Sequence, residues 1–239
     1  MQTPVVLCGY KRSPFTFAMK GALAKTRPDD MAAAVIKALI ADTGVNADDI
    51  EDILMGCAFP EAEQGFNLAK IVAQLAGLPD SVAGATVNRF CGSSMTTIQM
   101  AAGYIQMGAG DVFVCAGVES MSRIPMGGFN PMPNPDMMDV CPAAYIGMGE
   151  TAENLAKKYK IDRVTQENFA VGSQNKAAEA RKAGKFKDEI VEIDGVSEDG
   201  CIREGSTQEA LAGLKPPIGI RDMLSTPAQT KTSPAPIWI

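Results

Sequence analysis

Apolar positions along the chain change their spacing several times, and each change marks an element. Pro4-Val5-Val6-Leu7-Cys8 is a short apolar run that predicts a buried first strand, followed by a turn over residues 9–14. From Pro28-Asp29-Asp30 the spacing becomes helical, with Met31, Ala34, Val35, Ala38 and Leu39 in register until Gly44. The proline in the first turn and the two acids beside it suit a helix start. Residues 50–57, with Ile53-Leu54-Met55 as their centre, predict a second strand. Residues 67–76 predict a helix stopped by Gly77 and Pro79. Ala85-Thr86-Val87 and Phe90 have strand character, and Gly92-Ser93-Ser94 supply an abrupt turn and a helix start. Met95, Ile98, Met100, Ala101, Ala102, Ile105 and Met107 continue that helix until Gly108 and Gly110, and an apolar strand containing Cys115 follows. Strands alternating with helices indicate an α/β fold, a mainly parallel sheet with helices on both faces.

Beyond Ser120 the pattern breaks. Prolines at 125, 131, 133, 135 and 142 forbid a long regular element over residues 122–148, and irregular stretches of that length inside a compact domain are usually functional. Methionines at 121, 126, 132, 137, 138 and 148 make it soft and apolar. That surface suits a flexible acyl chain, a partner subunit, or packing down on its own core. Residues 151–159 predict a helix capped by Thr151, and Thr165 caps another that runs to about residue 183 and closes at Gly184. Residues 186–193 predict a short strand. Prolines at 217, 227, 234 and 236, with no periodicity between them, predict that residues 217–239 are irregular.

Composition narrows the class. At 239 residues, with 46% hydrophobic and 21% charged residues, the chain is long enough to bury a core of ordinary globular composition. A net charge of −6 and the lack of a basic block argue against a nucleic-acid or anionic-membrane surface. No apolar run approaches the length of a membrane span, and the N-terminus has no signal-peptide pattern. Six scattered cysteines without a CxxC predict free thiols in a reducing, cytoplasmic compartment. The chain has neither a CxxC nor a histidine, which argues against a zinc site, and the lack of histidine removes the commonest general base near neutral pH.

That leaves Cys91 as the candidate for chemistry. It stands at the strand-to-helix turn, where the first N–H groups of a helix point. Their partial positive charge favours thiolate over thiol, and they could steady an oxyanion on an acyl group carried by the sulfur. A lone cysteine is more often an inert core residue. A core residue, though, does not need an elbow.

The segment VNRFCGSSMTTIQMAAGYIQMGAGDVFVCAGVESMSRIPM resembles the nucleophile segment of the degradative thiolases, the acetyl-CoA acyltransferases. GCAFPEAEQGFNLAK upstream and GMGETAENLAKKY downstream resemble the same family in the same order. The ketoacyl synthases share such an elbow, but these segments resemble them less. The resemblance implies the first half of a pseudo-duplicated fold: a core over residues 1–120, and an inserted loop domain over residues 121–216 that lies over the active site and holds coenzyme A. Residues 217–239 then form a tail outside the family pattern.

The resemblance further implies acyl transfer between coenzyme A thioesters through an acyl-cysteine at Cys91, in 3-ketoacyl-CoA thiolysis or acetyl-CoA condensation. Coenzyme A would be a substrate, with no permanently bound cofactor, contacted by Met148 and Lys215. The family's second half carries a Gly-His-Pro histidine and a second catalytic cysteine, and neither has a match at any position here. A homo-oligomer or a partner chain supplying that half is therefore expected. The alternative is a catalytically incomplete fragment that binds acyl-CoA or assembles with a full-length thiolase.

Overall fold

The computed structural model describes residues 4–214. They divide into two units, one of residues 4–129 with 187–201 and the other of residues 130–186 with 202–214.

The first unit is built on a parallel three-stranded sheet, β1 (Asp52–Gly56), β2 (Ala83–Val87) and β3 (Phe113–Gly117), in the order β2-β1-β3. Parallel neighbours need crossovers. Helix α2 (Leu68–Leu75) makes the one from β1 to β2, and α3 (Ser93–Met107) the one from β2 to β3. Ile53, Leu54 and Met55 of the central strand are fully buried, and a continuous apolar run is what a strand covered on both faces requires. Ile53 and Met55 join the core with Met31 and Ile36 of α1 (Pro28–Thr43) and Val72 of α2. Leu54 and Gly56 alternate to the other face, where Gly56 meets the start of α3. Helices thus lie on both faces, as the alternation predicts. Gly44 and Gly108 end α1 and α3 with φ of 65° and 71°, a conformation costly for side chains with a Cβ.

The expected strand over Pro4–Cys8 is not formed. Residues 4–10 have no regular structure, and Val6 and Leu7 are 72% and 80% exposed. A strand needs a neighbour to pair its backbone groups, and no described strand pairs with this one. Residues 186–193 likewise yield only isolated bridges, Arg12 with Ile190 and Ile193 with Val196. Arg12, 3% exposed, organises this meeting. Its Nε donates to Glu189 at 2.7 Å, and its two terminal nitrogens donate to the two Asp199 oxygens at 2.8 Å each.

The second unit holds four helices among the described residues: α4 (Met137–Val140), α5 (Met148–Tyr159), α6 (Arg163–Lys182) and α7 (Gln208–Ala212). Two expected caps are corrected. Thr151 lies inside α5, which begins at Met148, and its hydroxyl donates to the Gly147 carbonyl at 3.2 Å. Asp162, not Thr165, caps α6, its carboxylate accepting the Thr165 N–H at 2.8 Å. Glu167, almost fully buried, accepts from Arg163 and from Gln208 Nε2. The short α7, capped by Thr207, has no counterpart in the sequence reading. The tail over residues 217–239 lies outside the described residues.

Candidate active site

The three strands finish together. Gly56 of β1 stands level with Val87 of β2 and Gly117 of β3, so the carboxyl ends of the sheet form one rim. Open α/β sheets place their ligands at this end. The first turn of α3 comes down onto the rim because glycines admit it. A Cβ on Gly56 would lie 2.5 Å from the Ser94 backbone nitrogen, and one on Gly117 would lie 1.8 Å from Ser94 Oγ.

Between β2 and α3 the chain turns through Asn88, Arg89 and a 3₁₀ turn, Phe90–Gly92. Phe90, read as strand-like in the sequence, instead has φ of 46°, the left-handed region. Such a conformation in a bulky residue costs on the order of 1–3 kcal/mol and persists only where neighbours impose it. They do. Asn88 Oδ1 accepts the Phe90 N–H at 2.9 Å, and Asn88 Nδ2 donates to the Ala58 carbonyl at 3.0 Å. On the other side Ser93 Oγ donates to the Phe90 carbonyl at 2.6 Å and accepts the Arg89 N–H at 2.8 Å. Thr96 Oγ1 adds a bond to the Gly92 carbonyl at 2.9 Å. The next residue is Cys91, and its side chain is exposed at this elbow.

The other thiols of this unit differ in setting. Burial pushes the Cys57 thiol up to about 12 and the Cys115 thiol up to about 11, which keeps both protonated near neutral pH. Cys8 is exposed on the irregular N-terminal stretch. Cys201, at the end of the first unit, is half-buried, and Cys141 in the second unit is exposed. Met148 is the exposed first residue of α5 in the second unit. Lys215 lies outside the described residues.

Behind the elbow is a polar network the sequence reading missed. Gln64 is fully buried. Its Nε2 donates to Glu119 Oε1 at 2.6 Å and to the Phe59 carbonyl at 2.9 Å, and its Oε1 accepts the Ser120 N–H at 2.7 Å. Glu119 Oε2 accepts the Ala58 N–H at 2.7 Å. Burial holds the Glu119 carboxyl above its ordinary range, although these N–H bonds pull the other way. The signal that could have found them is position. Asn88 directly follows β2, and Glu119 and Ser120 follow the apolar run of β3, where a parallel sheet gathers polar side chains.

An exposed thiol at a fixed elbow can attack an electrophilic carbonyl, and comparison with known proteins gives the chain a family. The family model for the thiolase N-terminal domain matches residues 5–219. A 3-ketoacyl-CoA thiolase of Bacillus subtilis (strain 168) is 38% identical over 250 residues, covering 98% of this chain and 64% of that protein. One from Marinomonas sp. (strain MWYL1) is 40% identical over 222 residues, covering 89% of this chain and 56% of the relative. The crystal structure of the Bacillus anthracis acetyl-CoA acetyltransferase superposes with a TM-score of 0.83 at 31% identity, over 99% of this chain and 65% of that one. The chain therefore spans less than two thirds of the length of these relatives. Across nearly all of that span, in motif order and in fold, it belongs to the thiolase family, as its N-terminal domain.

Proposed function

We propose that this chain carries the nucleophilic half of a thiolase, with Cys91 taking the acyl group from an acyl-CoA. The observation that carries the reading is the exposed Cys91 thiol, held by Asn88 and Ser93 at the elbow between β2 and α3. In the step proposed, the Cys91 sulfur attacks the thioester carbonyl. A new S–C bond forms, the bond from the carbonyl carbon to the coenzyme A sulfur breaks, and coenzyme A leaves with the proton of the Cys91 thiol. Backbone N–H groups at the start of α3 favour the oxyanion formed on the way. Coenzyme A is a substrate in this account, not a resident cofactor. Met148 at the start of α5 and Lys215 are the residues proposed to contact it.

Carbon–carbon chemistry needs more. Condensation takes a proton from the methyl carbon of acetyl-CoA, and thiolysis returns one. The chain has no histidine, and no cysteine here matches the family's second one. We assign those transfers to a polypeptide supplying the family's second half. A specific observation favours such an assembly. Helix α3 contains no charged residue in 15 positions, and on its outer side Met95 and Ile98 are exposed beside the neutral Gln99 and Gln106. An exposed helix face with apolar side chains and no charge suits a cover. We place the assembly in the cytoplasm, in keeping with six free cysteines and with the absence, among the described residues, of any helix able to cross a membrane.

Incubation with acetyl-CoA followed by peptide mapping tests the reading. Acetylation of the Cys91 peptide, and its loss in Cys91→Ala, is the expected result. A chain that stays unmodified, or that carries the acetyl group equally on Cys8 and Cys141, contradicts it.

A further inference from the structure

We propose that Glu119 is a positioning residue for the Cys91 sulfur, acting through Ala58 and Asn88. The inference rests on the reading of Cys91 as the acyl-carrying nucleophile. Each link is a hydrogen bond. Glu119 Oε2 accepts from Ala58 N at 2.7 Å. The Ala58 carbonyl accepts from Asn88 Nδ2 at 3.0 Å, and Asn88 Oδ1 accepts from Phe90 N at 2.9 Å. Phe90, at φ 46°, sets the direction of Cys91. At its far end the chain is anchored in the core, because the other Glu119 oxygen accepts from the fully buried Gln64 at 2.6 Å.

The chemistry of the link demands a carboxylate. Both Glu119 oxygens face N–H donors, so the side chain must accept twice and donate nowhere. Gln64 cannot turn over to compensate. Its Nε2 also serves the Phe59 carbonyl and its Oε1 takes the Ser120 N–H, and a flip would break both. In Glu119→Gln one of the two donors therefore faces an NH₂ group. Either Ala58 moves, carrying Asn88 and Phe90 with it, or Gln64 does. Global stability is a poor readout, since the substitution also removes a buried charge whose carboxyl is held above its ordinary range.

The test reads two local quantities in the full chain: hydrogen exchange at the Phe90 amide, and the rate of Cys91 acetylation by acetyl-CoA, with Cys8 and Cys141 as internal controls. Glu119→Gln should speed Phe90 exchange and slow Cys91 acetylation, each on the order of tenfold, the scale of one misplaced hydrogen bond. Asn88→Ser keeps an oxygen that can accept from Phe90 N but cuts the link to Ala58. In that background, adding Glu119→Gln should change neither quantity further, a coupling that independent structural damage would not produce. Full additivity of the two variants, or Glu119→Gln with wild-type exchange and acetylation, overturns the proposal. Should Glu119→Gln fail to fold, Asn88→Ala at its exposed position decides the case, and unchanged exchange at Phe90 overturns it. Failure of wild-type Cys91 to acetylate would instead refute the proposed function, leaving the exchange data to judge the positioning.

Discussion

Cys91 differs from Cys57 and Cys115 in one physical respect, the medium around the sulfur. Burial favours the neutral thiol, and it pushes Cys57 up to about 12 and Cys115 up to about 11. Near neutral pH their thiolate fractions are therefore on the order of one in ten thousand or less. Iodoacetamide at that pH should label Cys91 well before either, as peptide mapping would reveal, and comparable rates would sink the account of the elbow. A second residue-scale expectation concerns Gly56. A methyl group there meets the backbone of Ser93 and Ser94, which cannot turn aside as a side chain can. Gly56→Ala should cost about 1–3 kcal/mol in urea unfolding, the usual scale of overpacking, and should slow acylation of Cys91. Full stability with normal acylation would mean that the close approach is not needed. The place of Cys91 at a strand-to-helix turn was legible because its neighbours are local in sequence: a short strand, a glycine, two serines, a helical stripe. Glu119 and Gln64 were not, because their role depends on meeting across residues 64 and 119 at the rim of the sheet.

Among the elements, the same division between local and distant information decides what was readable. The helices α1, α2 and α3 and the three strands follow from periodicity and end signals that lie within each segment. Pro4–Cys8 is as apolar as a strand should be, but strand formation is a statement about a neighbour. The caps of α5 and α6 shifted for a smaller reason. Asp162 and Thr165 are both good capping residues, and helical spacing alone does not choose between them. Arg12 gives the sharpest test at this scale. It is the buried cation that joins the N-terminal stretch to Glu189 and Asp199. Arg12→Ala leaves two carboxylates without their partner and should cost about 3–5 kcal/mol of unfolding free energy. A change within experimental error in urea titration would show the clamp to be dispensable.

For the whole molecule, the apolar residues without cover matter most. Val6 and Leu7 are exposed on the unpaired N-terminal stretch, and Met95 and Ile98 on a face of α3 that carries no charge; exposed apolar side chains grouped on one element mark interaction surfaces. Sedimentation at micromolar concentration should therefore find self-association, or association with a polypeptide carrying the family's second half. Ile98→Lys should weaken it by placing a charge on a face that has none. A monodisperse monomer that melts cooperatively and ignores the second half would refute this. The proposed chemistry makes the same division. A thiolate needs no base to attack a thioester, whereas the carbon proton transfers lack a group worth about 10²–10⁴-fold in rate. The most direct test is to mix purified chain with acetoacetyl-CoA and follow both acyl-Cys91 by intact mass and the products over time. The account predicts an acyl group on Cys91 with scarcely any turnover, and sustained thiolysis once the second half is added, lost again in Cys91→Ala. Steady cleavage of acetoacetyl-CoA by this chain alone, at the rate of an ordinary enzyme, would contradict it.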